Sequence, residues 1–189
     1  MSFLRLAFTT LAALALSLGS SRADELPTAT FRVMGLFEPE RQQDLKETLT
    51  ILPALELVSV NYDTTEVTFR YDVTKLINAY NPKKPPTQEA IQKSIDTLLR
   101  NASNGTFSLK TGATPPKDKL QNVHLQVGIL DCRGCRYGVY QIISKVDGVE
   151  QATLARDGYL TAWIDGTKTN QGALEEALKK ARIDLLHNK

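Results

Sequence analysis

"LQVGILDCRGCRYGVYQIISKVDGVEQATL", Leu125 to Leu154, carries an alternating segment through a cysteine pair and a helical stripe into a second alternating segment. Leu125, Val127 and Ile129 alternate with other residues as a half-buried strand requires. Val139, Ile142, Ile143 and Val146 then recur at the spacing of one helix face. Asp147-Gly148 ends the helix, and "VEQATLARD" and "YLTAWID" follow as two strands around the hairpin signal Asp157-Gly158. Leu174, Ala177, Leu178 and Ala181 carry a second helix, and the short apolar run "IDLL" from Ile183 closes the unit.

The same order occurs earlier in the chain, which identifies an internal repeat. "FRVMGL" from Phe31 matches "LQVGIL", with Phe31, Val33 and Gly35 standing for Leu125, Val127 and Ile129. Leu45, Thr48, Leu49 and Leu52 form the matching helical stripe, which Pro53 ends. "LELVSVNYD" and "EVTFRYD" supply the two strands, Ile91, Ile95 and Leu98 the second helix, and "TFSL" from Thr106 the last run. An insertion, "VTKLINAYNPKKPP", precedes that helix; Pro82, Pro85 and Pro86 forbid a regular helix through its tail, so an ordered surface loop is expected.

The order is βαββαβ, twice. The predicted fold class is α+β: two tandem ferredoxin-like domains, each an antiparallel sheet with two helices on one face. "KTGATPPKDKLQ" lacks apolar periodicity and contains Gly112 and Pro115-Pro116, so it reads as the connection. The expected boundaries are 24–110 for the first domain, 111–118 for the linker and 119–189 for the second domain.

Residues 1–23 are expected to be a signal peptide. Arg5 precedes an apolar run from Leu6 to Leu18, too short to span a bilayer comfortably, and Ser21-Arg22-Ala23 places small residues at a peptidase site. Cleavage after Ala23 predicts an exported protein, periplasmic or secreted, that is not an integral membrane protein once processed. The net charge is +2, with acids and bases interspersed, which argues against a nucleic-acid partner. Two cysteines cannot make a disulfide-dense scaffold, so each unit must rest on its own core.

Those cysteines, Cys132 and Cys135, fall in the loop after a strand and at the start of a helix. Residues alone leave three roles open: a soft-metal site, a disulfide, or a thiol-disulfide redox pair. A disulfide would close a very small loop and add little by chain entropy. A thioredoxin-like redox role expects a different element order from a doubled βαββαβ.

Strand, Leu-x-Cys-x-x-Cys, amphipathic helix and "VDGVEQATL" together resemble the heavy-metal-associated domain of copper chaperones, metal-pumping P-type ATPases and exported mercury-binding proteins. The resemblance covers 119–189; the first unit resembles that domain in outline only. It implies a soft ion bound by Cys132 and Cys135 as thiolates, copper(I) first and mercury(II), zinc(II) or cadmium(II) as alternatives. Thiolates select such ions over calcium and magnesium, and a helix N-terminus favours thiolate over thiol. A metal-donor or metal-acceptor protein with exposed cysteines is the implied partner, and no enzymatic activity is expected.

Several residues qualify this reading. Ile129-Leu130, followed by Asp131, replaces the usual Gly-Met before the motif, and Leu130 can take over the packing of the methionine. Arg133 and Arg136 flank the pair, either to offset the charge of a two-thiolate centre or as ordinary solvated arginines. Glu38 and Arg41 occupy the cysteine positions in the first unit, so no such site is expected there; that unit serves as a docking platform or a brace. His124 and His187 are candidate third ligands, though lone histidines are commonly plain surface residues. Trp163 either marks a docking face or packs on the neighbouring domain; Tyr137 and Tyr140 follow the motif on the helix, and Tyr137 either lines the loop or packs. Asn101 and Asn104 match glycosylation acceptors. The rival function is a protein-interaction module whose cysteines stay oxidised.

Overall fold

The structure, a computed structural model, describes residues 26–112, 115–128 and 130–186. The expected signal peptide, Ile129 and His187 lie outside these residues. Strand β1 (Thr28–Met34) leads to helix α1 (Arg41–Thr50), and the hairpin β2 (Leu55–Asn61) and β3 (Glu66–Tyr71) follows. A single turn, α2 (Val73–Leu76), opens the insertion, and no helix runs through its prolines. Helix α3 (Gln88–Ala102) and strand β4 (Ser108–Lys110) complete the first half. After a 3-10 turn at Lys117–Lys119 come β5 (Gln121–Gln126), α4 (Arg133–Ser144), β6 (Val149–Leu154), β7 (Tyr159–Ile164) and α5 (Gln171–Lys180).

Two antiparallel sheets result, one in the order β2-β3-β1-β4 and the other β5-β7-β6. In the first, Val33, Val67, Phe69 and Tyr71 point to one face and meet Leu45 and Leu49 of α1 and Ile91, Ile95 and Leu99 of α3. In the second, Leu125, Ala152, Leu154, Leu160 and Ala162 meet Val139 and Ile143 of α4 and Leu174 and Leu178 of α5. Alternation in the strands and helical spacing in the helices thus converge on one buried layer per sheet. Each fully buried aliphatic side chain contributes roughly 1.5–3 kcal/mol.

The second sheet differs from expectation at its end. Ile183 to Leu186 was expected as a fourth strand, but among the described residues it forms none. In the first half, β4 pairs Lys110 with Arg32, Leu109 with Val33 and Ser108 with Met34. The matching segment makes one bond of this kind, from the Leu186 amide to the Gln126 carbonyl at 2.8 Å. It meets the edge of β5 at Leu186, the last described residue. Ala181, expected on the apolar stripe of α5, is its exposed C-cap instead.

The halves also share buried contacts. Phe37, just after β1, is fully buried in the core of the second sheet, and its carbonyl accepts from the Leu154 amide at 2.9 Å. Glu150 at the start of β6 receives Arg32 Nη1 at 2.9 Å and Lys110 Nζ at 3.0 Å. Burial would raise the Glu150 pKa, but the hydrogen bonds from Arg32 and Lys110 outweigh it and hold the carboxyl below its ordinary value. Burial lowers the Lys110 pKa, which its contacts with Glu150 offset only in part.

Candidate metal centre

The loop between β5 and α4 is anchored from below by the β6–β7 turn. Val127 donates to the Gly158 carbonyl and Leu130 to the Arg156 carbonyl, each at 3.0 Å. Gly158 has φ +82°, and a Cβ there would collide with the Gly128 backbone. Only glycine lets the turn come this close. Leu130 packs against the second core, as its expected substitution for methionine requires.

Cys132 is the N-cap of α4 and Cys135 lies in its first turn. The Cys135 amide donates to Cys132 Sγ at 3.0 Å, so one sulfur satisfies an N-terminal amide that the helix itself leaves without an acceptor. The two residues are exposed, their Cα atoms are 5.2 Å apart, and their sulfurs are joined in a disulfide. The loop therefore brings both sulfurs to one point at the positive end of a helix, on the surface. Among the described residues, no group of three His, Cys, Asp or Glu side chains is placed to hold an ion. His124 is exposed on β5, where its Nδ1 lies 3.1 Å from Thr161 Oγ1.

The flanking arginines are not free surface charges. Arg136 is only 4% exposed. Its Nε donates to Glu38 Oε2 at 2.7 Å, and its Nη1 donates to the carbonyls of Leu130 at 2.8 Å and Asp131 at 3.0 Å. Arg133, which is exposed, reaches Glu38 Oε1 at 3.6 Å and Asp44 Oδ2 at 3.1 Å. The solvated-surface role does not describe Arg136. Its charge is matched by a carboxylate from the other half.

Glu38 thus meets the cysteine loop without sharing its chemistry, while Arg41 turns to Asp44 and to two aromatic rings. Glu38 is buried, and Arg41 sits with its guanidinium 5.4 Å from the Phe37 ring centroid and 5.3 Å from that of Phe107. Burial lowers the Arg41 pKa against the opposing pull of Asp44. Phe37 stacks on Tyr140 at 5.0 Å and on Tyr137 at 5.9 Å between centroids. Tyr140 Oη accepts from the Gly35 amide at 2.8 Å, and Tyr137 Oη donates to the Gly105 carbonyl at 3.0 Å. Both tyrosines pack against the first half. Burial pushes the Tyr140 pKa up to about 12.

Phe37 and the engagement of Glu38 escaped the sequence reading. The available signal was a bulky apolar residue in a loop, where the other copy has Asp131. Trp163 lies with Lys117 Nζ 5.4 Å from its ring centroid, so the connecting segment packs on this residue. Asn101 and Asn104 are exposed at and just beyond the end of α3.

No protein-family model matches the chain, and no curated protein matches it. Among solved structures, the chain is similar to oxidised MerP from Ralstonia metallidurans CH34, at 28% identity over 35% of this chain and 94% of that one, with a TM-score of 0.34. It is also similar to the water-soluble region of the P-type ATPase CopA from Bacillus subtilis, at 17% identity over 85% of this chain and 90% of that one, with a TM-score of 0.33. A second structure, of the N-terminal soluble domains of the same CopA, gives 16% identity, 85% and 92% coverage, and a TM-score of 0.33.

Proposed function

We propose that this chain is an exported, non-enzymatic carrier of a soft metal ion, which the reduced Cys132–Cys135 pair captures and passes on by ligand exchange. The observation that supports it most is the placement of two exposed sulfurs at one point, at the N-cap and first turn of α4. Two thiolates there suit a low-coordinate soft ion, copper(I) before mercury(II), zinc(II) or cadmium(II). Exposure lets a partner's cysteines enter while the ion is still held, which ligand exchange requires. In this reading the chain is a tandem of two heavy-metal-associated units, 24–110 and 119–189, and only the second carries cargo.

The disulfide must open first. An external dithiol breaks the Cys132–Cys135 bond by supplying two electrons and two protons, and is itself oxidised to a disulfide. Metal binding then displaces the thiol protons. No helix among the described residues is long and apolar enough to cross a membrane.

The disulfide favours a second reading, in which the closed loop is a docking surface and no ion binds. Anaerobic titration of the reduced protein with copper(I), zinc(II) and mercury(II), against a Cys132→Ser/Cys135→Ser variant, separates the two. The carrier reading expects one tight equivalent of copper(I) or mercury(II), lost in the double variant. Equal binding by the variant removes it. Thiols that stay oxidised in freshly isolated protein would favour the docking surface.

A further inference from the structure

The first half has lost the cysteines but not its contact with them. In the repeat, Glu38 occupies the position of Cys132, and its carboxylate lies against the arginines that bracket Cys135. Arg136 joins that carboxylate to the cysteine loop, because the same guanidinium holds the carbonyls of Leu130 and Asp131. These are the two residues immediately before Cys132. A planar guanidinium holds its acceptors in a fixed fork, whereas the three donors of an ammonium rotate. The fork is buried, so its orientation depends on each of its acceptors.

We propose that Glu38 is a positioning residue for the cysteine pair: through Arg136 it holds the loop in the conformation that keeps the two sulfurs together. The first half is then a built-in brace that sets how readily the disulfide opens. An intramolecular disulfide is favoured in proportion to the effective concentration of its two thiols. Without the Glu38 carboxylate, Arg136 turns toward solvent, the carbonyls of Leu130 and Asp131 lose their donor, and Cys132 moves more freely relative to Cys135. The equilibrium with an external dithiol then shifts toward the open dithiol. The proposal depends on the pair cycling between disulfide and dithiol, as the carrier reading also requires, and it says nothing of which ion binds.

The test is metal-free, so its failure and that of metal binding are separate results. The purified protein is equilibrated with graded ratios of reduced and oxidised dithiothreitol, and the dithiol fraction is read by thiol alkylation and mass. Glu38→Gln is expected to raise the dithiol-to-disulfide ratio about fivefold, equivalent to about 20 mV for this two-electron couple. Arg136→Lys, which keeps the charge but not the fork, should shift it in the same direction. Glu38→Asp, which restores a carboxylate, should return it part of the way. Glu150→Gln is the control for a loosened contact between the halves, since it breaks the pairs with Arg32 and Lys110 without touching the loop. It should lower the unfolding midpoint and leave the ratio unchanged. An unaltered ratio in both Glu38→Gln and Arg136→Lys overturns the proposal. So does a shift in Glu150→Gln as large as that in Glu38→Gln.

Discussion

Phe37 does more for the second half than its place in the first half would suggest. Its ring is fully buried against Tyr137 and Tyr140, and its carbonyl caps the end of β6 through Leu154. Replacing it with alanine removes a large side chain from a packed interior, where collapse is limited by two rigid rings. We expect Phe37→Ala to cost about 3–5 kcal/mol in urea-induced unfolding. A loss under about 1 kcal/mol would mean that the tyrosines close over the gap. Glu38 and Arg136 are a different kind of residue, since burying a charged pair offers little net stability while leaving one partner alone is costly. Their contact was invisible in the sequence because the partners are 98 positions apart and each looks like ordinary surface.

At the scale of elements, local signals were reliable wherever the structure they specify is local. The helices fall where the apolar stripes recur, and the Asp157-Gly158 turn joins two strands as its chemistry requires. The capping of α5 follows the same logic: Asn170 Oδ1 accepts from the Ala173 amide at 3.1 Å, whereas Glu40 before α1 makes no side-chain cap. Asn170→Ala is expected to lose about 1 kcal/mol in thermal or urea unfolding, and Glu40→Ala far less. Equal losses would show that these helices are held by packing alone. The final strand depends on more than local signals. "IDLL" is at least as apolar as "TFSL", but a ladder needs a facing edge along several residues, and local apolarity does not report where that edge lies. The cysteine loop was legible because strand, spacing and helix start are contiguous; its bracing was not, because that comes from another element.

For the whole molecule, the two halves are tied at opposite ends of β6, by Phe37 at Leu154 and by Arg32 and Lys110 at Glu150. The second tie depends on pH. Glu150 has a folded pKa below its ordinary 4.5, so its contribution is complete above that value and is lost as pH falls through the lower, folded one. Thermal midpoints measured downward from neutral pH should therefore fall more steeply below about 4.5 in the parent protein than in Glu150→Gln. Parallel curves would assign acid sensitivity to other carboxylates. The placement of the aromatic residues also equips the protein with two optical probes. Trp163, the sole tryptophan, lies beneath Lys117, so intrinsic fluorescence reports on the connecting segment. The stacked rings of Phe37, Tyr137 and Tyr140 sit in a fixed asymmetric environment beside the cysteine loop, where they generate near-ultraviolet circular dichroism. A separation of the halves that leaves each one folded would register in the dichroism, and the two signals together would locate where the molecule first gives way.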